Sequence, residues 1–362
     1  MVPEPALVGE RSQARRSVRA NRSAGGAFTA MLVAAGLAVL LGSIAVTVTI
    51  GPAELSVRDV YAVLFDKLGV RDSELSAIRE GIVWQLRLPR TLLAAVCGAG
   101  LAVCGVIMQS LLRNPLADPF VLGISSGAST GAVVIAVLGV GGGLLSLSSG
   151  ALIGALVSFA LVLVLAAGAG GGNARIVLAG VAATQLFSSL TSFIVLSSAD
   201  AERTRGVLFW LLGSLAGADW TDVALAATVC ATGLSICLWQ AASLDAFTFG
   251  SSSAATLGIS VGRVRLLLLV VTAGITAVLV SVAGAIGFVG LVLPHAARFL
   301  VGVRHSRLLP VSAVTGAVFL VWVDALARTV FAPQEVPVGV LTALIGVPAF
   351  ALLLFRTRGD GE

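Results

Sequence analysis

The sequence has few charged residues and a single lysine, Lys67. Only 11% of its 362 residues are charged, whereas soluble domains carry about 25%. Hydrophobic residues make up 57% of the chain, and the mean hydropathy is +1.04. A surface facing water needs charges that are missing here. The composition therefore predicts that lipid surrounds most of the chain.

The scarcity of lysine and histidine excludes several activities. Lys67 lies in no G-x-x-x-x-G-K-[ST] phosphate loop, so we expect no ATP hydrolysis by such a loop. His295 and His305 are not spaced as metal ligands, and neither an H-E-x-x-H nor a G-x-S-x-G nucleophile motif occurs. We therefore predict no catalytic residues, no metal site and no cofactor. Zinc spacing and basic stripes are also missing, so nucleic acid is not an expected partner.

Long apolar runs predict an all-α, polytopic membrane protein. A helix crosses about 30 Å of hydrocarbon with about 20 residues. The runs indicate about ten transmembrane helices in a single domain over 28–358, with tails at 1–27 and 359–362. The predicted spans are 28–50, 91–112, 120–139, 144–168, 176–198, 220–240, 264–283, 285–302, 308–328 and 338–355.

Arginines in the N-terminal tail predict the orientation. Cytoplasmic segments next to a span are enriched in Lys and Arg. Ten spans place both termini on one side, and that side is expected to be the cytoplasm. The tail arginines are Arg11, Arg15, Arg16, Arg19 and Arg22.

Three segments between the predicted spans are candidates for a functional role. The outer loop 51–90 is long and charged, which suits either a docking surface or a plain solvated loop. The inner segment 241–262 is polar and predicts short helices and turns. The apolar segment 206–217 is too short to cross the membrane. It suits a re-entrant helix or an interfacial helix anchored by Trp210 and Trp220 equally well.

Several blocks resemble one known family. They are WQLRLPRTLLAAVCGAGLAVCGVIMQSLLRNPLADPFVLGISSG (84–127), LAGVAAT (178–184), FWLLGSLAGADW (209–220), GAIGFVGLVLPHAARFLVG (284–302) and VPVGVLTALIGVPAF (336–350). In this order they closely resemble the FecCD-type permeases of binding-protein-dependent ABC importers, which take up iron-siderophores, haem and vitamin B12.

The resemblance implies an architecture and a set of partners. The expected fold has ten spans, with inverted repeats of spans 2–5 and 7–10. The expected partners are a second permease chain, identical or homologous, two ATPase subunits and an extracytoplasmic solute-binding protein. The expected location is the bacterial plasma (inner) membrane, with both termini cytoplasmic. ATP hydrolysis would belong to the separate subunits, so this chain is not expected to be an enzyme.

The resemblance also assigns roles to individual residues. The segment that couples to the ATPase matches Phe249, Gly250, Ser251, Ser252, Ala254, Leu257 and Gly258. Acidic residues often follow the glycine in the family. Serines stand there in this chain, so packing rather than charge would dominate the contact. The alternative is an ordinary polar loop.

Three further sets follow from the resemblance. The cytoplasmic gate matches Asn114, Pro115 and Leu116, where Pro115 and Pro119 break the helix; a plain inter-helix turn is the alternative. Binding-protein docking falls to Arg58 and Arg328, although Arg328 could instead form a local ion pair with Asp324 at i, i+4. Arg87 and Arg90 are expected to anchor the second span at the headgroups. The pathway is expected near span 5 and at Trp210, Gly213 and Ser214.

The sequence thus favours an importer permease with alternating access, and iron-siderophore complexes over haem and vitamin B12 as cargo. An ion-coupled secondary transporter is the alternative from another class. It would need carboxylates at mid-membrane, and none stands out in the predicted spans. A membrane-embedded enzyme would need a catalytic constellation, and none is present.

Overall fold

The computed structural model describes residues 4–51, 55–67, 69–70, 75–141, 144–170, 172–198 and 200–359. Within these ranges the secondary structure is helical and contains no strand, which confirms the predicted all-α fold class. The helices are α1 (Glu4–Thr49), α2 (Val57–Lys67), α3 (Ala77–Gly81), α4 (Leu88–Leu112), α5 (Ile124–Leu138), α6 (Leu147–Gly168), α7 (Asn173–Leu196), α8 (Ala201–Leu211), α9 (Trp220–Trp239), α10 (Ala241–Phe247), α11 (Ser251–Thr256), α12 (Val261–Ala283), α13 (Val289–Val301), α14 (His305–Thr329) and α15 (Val338–Gly359).

Each of the ten predicted spans corresponds to one apolar helix. Seven are long and apolar enough to cross a membrane: the Gly25–Thr49 part of α1, the continuous helix Ala77–Leu112, and α6, α7, α9, α12 and α14. The helices α5 and α13 and the Val338–Leu352 part of α15 are apolar but shorter. At about 1.5 Å per residue, the 15 residues of α5 rise only about 22 Å.

The predicted boundaries of the second span are wrong. The helix begins at Ala77 rather than at residue 91, so much of the predicted loop 51–90 is helical. It widens into a π-helical turn at Ile82–Arg87, where the Leu88 N–H donates to the Val83 carbonyl. Pro89 follows at once, and proline has no N–H for the regular ladder. The wide turn accommodates this break without ending the helix.

Two of the three shorter spans, α5 and α13, begin later than predicted, because a segment outside the α-helix leads into each of them. A 3₁₀ turn, Pro119–Leu122, leads into α5 and ends at the left-handed Gly123 (φ 71°). The stretch 284–288 leads into α13 and ends at the left-handed Phe288 (φ 67°). The predicted spans 264–283 and 285–302 left a single residue between them, whereas the structure joins α12 to α13 by the non-helical segment 284–288. Each short helix starts inside the bundle rather than at its surface.

These two lead-in segments support the predicted inverted repeats. The motif LAGVAA (178–183) in α7 matches LIGVPA (344–349) in α15. Gly180 of the first motif packs on the Val121 carbonyl before α5, and Gly346 of the second packs on Phe288 before α13. Equivalent glycines thus meet equivalent lead-ins in the two halves.

The first span defines two faces of the bundle. Gly25, where its apolar part begins, lies beside Arg307 at the start of α14. Near its end, the Thr47 carbonyl accepts a hydrogen bond from Arg328 at the end of α14. Helices α1 and α14 therefore run in the same direction. We call the side where they begin the proximal face and the side where they end the distal face.

The remaining contacts place the other segments on these faces. Arg90 at the start of α4 meets Asp324 on the distal side, and Ser110 at its end meets His305 on the proximal side. Helix α4 is therefore antiparallel to α14. Asn173 at the start of α7 bonds to the end of α4, which places it on the proximal side too.

Glycines allow α4 to approach its neighbours closely. Helix α4 is buried along most of its length and contacts α9, α12, α13 and α14. A side chain at Gly105 would collide with the Gly290 carbonyl of α13, and one at Gly98 would collide with the Gly316 carbonyl of α14. Small residues at such crossings let backbones touch in membranes.

We predict that Gly105→Ala destabilises the bundle by about 1–3 kcal/mol, the usual cost of overpacking. The added methyl has only backbone to push against, so α4 and α13 must separate. Gly274→Ala in α12 is the matched control, because nothing lies within 4 Å of its added carbon. Denaturation in detergent checks both variants, and equal stability would contradict the close approach.

Candidate functional site

The predicted coupling segment lies on the proximal face as two short helices. Helices α10 and α11 are separated by Thr248–Gly250, and both Gly250 (φ 105°) and Gly258 (φ 81°) have left-handed backbones. Phe249 and Leu257 are 77% and 71% exposed, whereas Ala254 is fully buried. Ser252 is exposed. Large apolar side chains exposed together indicate a contact surface.

A partly buried polar link, which no sequence motif indicated, connects this segment to the bundle. The Asp245 carboxylate of α10 accepts hydrogen bonds from the His305 backbone N–H (2.9 Å) and from its Nδ1 (2.7 Å). The other ring nitrogen of His305 lies 2.6 Å from Ser110 Oγ in α4. One histidine thus joins α10, α14 and the end of α4. No local pattern reveals it, because the partners lie 60 and 195 residues apart.

The predicted gate lies immediately after this link. Helix α4 ends at Arg113, whose left-handed backbone (φ 52°) turns the chain. The Asn114 N–H donates to the Gln109 carbonyl, and the Asn114 side chain accepts from the Leu116 N–H at 3.0 Å. All four residues 113–116 are exposed. The turn and the helix break agree with the sequence, while the gating role stays a prediction.

We call residues 113–116 the gate turn, and it lies close to the coupling segment and to α13. Arg113 Nη1 would lie 3.6 Å from a carbon added to Gly250, so the gate turn lies beside the coupling segment. Gln109, one turn earlier, donates to the Gly290 carbonyl of α13 and accepts from Arg298 at 2.6 Å. Beyond the turn, Asp118 accepts from the Phe120 N–H, and burial raises its pKa to about 6.

A cluster of charged groups lies at the distal face, where three members are buried and the fourth, Glu335, is exposed. Arg90 Nε lies 2.9 Å from Asp324 Oδ1, and Arg90 Nη1 lies 2.9 Å from Glu335 Oε2. Arg328 Nε lies 3.2 Å from Asp324 Oδ2, which is the i, i+4 pair. Asp324 is 1% exposed. We call Arg90, Asp324, Arg328 and Glu335 the distal ion cluster.

Two arginines cap the end of α1 next to this cluster. The last carbonyls of a helix have no partner within it and carry partial negative charge. Arg87 donates to the Val48 and Thr49 carbonyls at 2.9 and 3.0 Å. Arg328 donates to the carbonyls of residues 47 and 50 at 3.2 and 3.3 Å. The first span is thereby fastened to α4 and α14.

These contacts correct the headgroup expectation for Arg87 and Arg90, and they contain the local ion pair that the sequence left open as the alternative for Arg328. Arg87, Arg90 and Arg328 are each only 7% exposed. Arg87 and Arg90 bind protein groups rather than headgroups. Arg328 is committed to Asp324 and α1, so it offers a docking partner little surface. Arg58 is exposed on α2, which packs over the distal ends of α1 and the π-helical turn. The docking prediction therefore rests on Arg58.

The predicted pathway residues lie in a packed, irregular stretch. Segment 206–217 divides into the end of α8 and a turn at Gly213 (φ 84°). The Ser214 N–H donates to the Ala283 carbonyl at 2.9 Å, and Trp210 packs on Gly284. These contacts hold the stretch against the lead-in to α13, which fits a partial helix surrounded by protein better than an interfacial one.

Trp220 has a different partner from the one expected. Its Nε1 donates to the Trp84 carbonyl at 2.9 Å, and the two ring centroids lie 4.7 Å apart. It therefore anchors α9 to the π-helical turn rather than to lipid headgroups.

A polar stripe runs along the exposed side of α7. Gln185, Ser188 and Ser192 recur at helical spacing and are all exposed, whereas Gly180 and Ala183 on the opposite side are buried. The Ser192 hydroxyl donates to the Ser188 carbonyl, but the exposed Gln185 amide is unfavourable against hydrocarbon. Water or a second protein surface suits this side of α7 better than lipid.

Comparison with known proteins decides the family. Residues 37–356 match the family model described as the FecCD transport family. The chain belongs to the FecCD transport family.

Similar proteins are permeases with different cargoes. The chain is 43% identical over 280 residues to the cobalamin import system permease protein BtuC of Halobacterium salinarum. This match covers 75% of this chain and 73% of that protein. It is 41% identical over 282 residues to the Fe(3+) dicitrate transport system permease protein FecD of Escherichia coli, covering 76% and 86% of the two chains. The same identity and length hold for the hemin transport system permease protein HmuU of Yersinia pestis, with coverages of 76% and 84%.

A solved structure agrees with this assignment. A metal-chelate type ABC transporter in an inward-facing conformation superposes with a TM-score of 0.79 at 29% identity, and the match covers 90% of this chain and 99% of that one. This FecCD protein is therefore a multi-pass permease subunit of an ABC importer. The matched region includes the coupling segment, the gate turn and the distal ion cluster.

We predict that Asp324→Asn destabilises this FecCD permease by about 3–5 kcal/mol, because it leaves buried arginine charge uncompensated. Denaturation in detergent measures the loss. Glu202→Gln, which changes an exposed carboxylate in the same way, should leave stability unchanged. Equal stability of the two variants would show that the distal ion cluster is dispensable.

Proposed function

We propose that this permease imports iron-siderophore complexes, with ATPase subunits docked on its proximal face and a solute-binding protein on its distal face. The proposal rests on the position of the coupling segment next to the gate turn. Phe249 and Leu257 are exposed on the coupling segment, which lies beside the gate turn through the approach of Arg113 to Gly250. A motor bound to the exposed residues would act directly on the gate.

The charge distribution supports a cytoplasmic proximal face. The N-terminal tail, which precedes the first span on this side, carries five arginines, and Lys and Arg next to spans favour the cytoplasm. The ends of spans 2, 5, 7, 8 and 9 on this side also carry arginines, but the distal segments carry as many basic residues, so the bias comes from the tail. Since ten spans return the chain to its starting side, both termini would be cytoplasmic in a bacterial plasma membrane. The proximal arginines at the span ends are Arg113, Arg175, Arg263, Arg265, Arg298, Arg304 and Arg307.

Apolar packing would dominate the contact with each ATPase subunit. Phe249 and Leu257 would bury their exposed side chains in the partner, while Ala254 fixes α11 to the bundle. Movement of the segment would pass through Asp245 to His305 and Ser110, and so to the end of α4. The gate turn 113–116 follows that end directly.

The pathway would lie between two permease chains. The polar stripe Gln185–Ser192 on α7 needs a covering other than lipid, and a second chain, identical or homologous, would supply it. Water between two such stripes would form a polar route for a bulky cargo. Gly213 and Ser214 would then shape its distal end.

The relatives support a metal-chelate cargo without distinguishing its type. FecD is named for Fe(3+) dicitrate, HmuU for hemin, BtuC for cobalamin, and FhuB of Bacillus subtilis for iron(3+)-hydroxamate. Iron chelates are the commonest cargo among these four. Haem and vitamin B12 are the alternatives within the same importer type.

An ion-coupled carrier is less well supported. Its carboxylate would have to change protonation at mid-membrane. Asp324 is buried, but it lies at the distal end and is paired with Arg90 and Arg328. The two arginine charges oppose protonation of this carboxylate.

Uptake by proteoliposomes tests the proposal. The permease is reconstituted with its cognate ATPase and binding protein and offered radiolabelled ferric hydroxamates, ferric citrate, hemin and cobalamin. We expect ATP-dependent uptake of a ferric chelate that persists with an uncoupler. Uptake that survives ATP depletion but stops with the uncoupler would contradict the ATP-driven mechanism. Uptake of hemin or cobalamin alone would contradict the cargo.

We predict that Leu257→Glu uncouples the two activities. The buried carboxylate would weaken the apolar ATPase contact, so cargo uptake should fall at least about tenfold, as a loss of about 1.4 kcal/mol implies, while basal ATP hydrolysis continues. Leu144→Glu makes the same change at an exposed distal residue and should transport normally. Full ATP-coupled uptake by the Leu257 variant would contradict the proposed coupling surface.

A further inference from the structure

Arg265 in α12 carries hydrogen-bond donors that none of the described residues satisfies. Its Nε and Nη2 atoms are shielded from solvent and have no hydrogen-bond partner within the part of the chain that the structure describes. Shielded polar groups are nearly always bonded, and an arginine fork suits carboxylate or phosphate oxygens in particular. An unpaired fork in a folded protein therefore calls for a partner from outside the chain.

The guanidinium lines a cavity of about 240 Å³. The cavity lies at the proximal ends of α4, α7 and α12, beside α10. Its polar lining comes from Arg113, Asn173 and Arg265, and its apolar lining from Leu111, Phe247 and Val261. Asn173 is fixed in place, because its Nδ2 donates to the Leu111 carbonyl at 3.0 Å.

The charge of this cavity selects an anion. Arg113 and Arg265 contribute two positive charges, and none of the described lining residues carries a carboxylate. The cavity also meets the N-terminus of α7, whose first N–H groups favour negative charge. The space holds one tetrahedral anion with room to spare.

We propose that this cavity binds a phosphate group between Arg113 and Arg265. The shared chemistry is that of a phosphomonoester or phosphodiester, supplied by an anionic phospholipid or by free inorganic phosphate. The apolar half of the lining favours the lipid, since a glycerol backbone would pack on Leu111, Phe247 and Val261 while the phosphate meets the arginines. The position at helix ends matches headgroup depth.

An occupied site would add a direct link between the gate turn, the coupling segment and α12. Arg113 ends α4, begins the gate turn and approaches Gly250 of the coupling segment. Arg265 lies in the first turns of α12, directly after that segment. A phosphate bridging the two arginines would hold the gate turn, the coupling segment and α12 in one arrangement.

The test uses the full-length chain in maltoside micelles, which contain no phosphate. In one arm, native mass spectrometry measures binding of short-chain phosphatidylglycerol. In the other arm, calorimetry measures binding of inorganic phosphate. Arg265→Gln should weaken whichever ligand binds by about ten- to a hundredfold, the range expected for hydrogen bonds to a charged group.

Arg263→Gln is the matched control, because Arg263 lies on the same helix but does not line the cavity. It removes the same charge and should bind as the wild type does. Thermal melting of both variants confirms folding. Binding of phosphatidylglycerol without competition from inorganic phosphate supports the lipid as source, and competition or direct phosphate binding supports free phosphate. The proposal is overturned if the wild type binds neither ligand, if Arg265→Gln and Arg263→Gln bind equally, or if only an added ATPase subunit fills the site.

Discussion

The close approach of α4 to α13 and α14 is the constraint on which the rest of the bundle depends. Lipid tails are as apolar as the helices, so burial of apolar surface drives little association within a membrane. Backbone contact must supply packing instead, and Gly98 and Gly105 make it possible. Because these crossings leave no room for adjustment, α4 is a fixed axis, and the segments at its two ends are positioned by it.

Polar links fasten the pair α4 and α14 at both faces but with different consequences. At the distal face, Arg90 and Asp324 join α4 to α14, and the neighbouring Arg87 and Arg328 hold the end of α1 in place. At the proximal face, Ser110 and His305 are joined to Asp245, which belongs to a short helix with exposed neighbours. The distal link is surrounded by other groups of the same chain. The proximal link leads to the exposed coupling segment, on which a bound partner would act.

This asymmetry suits an importer driven from one side. The gate turn, the coupling segment and the arginine-lined cavity all meet at the proximal end of α4. A movement driven from one face is carried by packed elements that switch between two arrangements, rather than by continuous bending. The inverted halves contribute differently: α5 and α13 both start inside the bundle, but only the lead-in to α5 follows the gate turn at Asn114–Leu116 directly.

The sequence by itself determined the all-helical class, the ten apolar segments, the family and the chain break at Pro115, because hydropathy, proline and ordered motifs act locally along the chain. It also placed Phe249 and Leu257 in the polar segment 241–262, where the structure exposes both side chains. Only the tertiary structure decided where the arginines point. Arg87 and Arg328 have the same charge as Arg58, yet they cap α1 while Arg58 faces solvent, since their partners lie about 40 to 280 residues away. The link from Asp245 to His305 and the unpaired fork of Arg265 were invisible for the same reason: a side chain's partner is fixed by the packing of distant helices, and no local pattern records it.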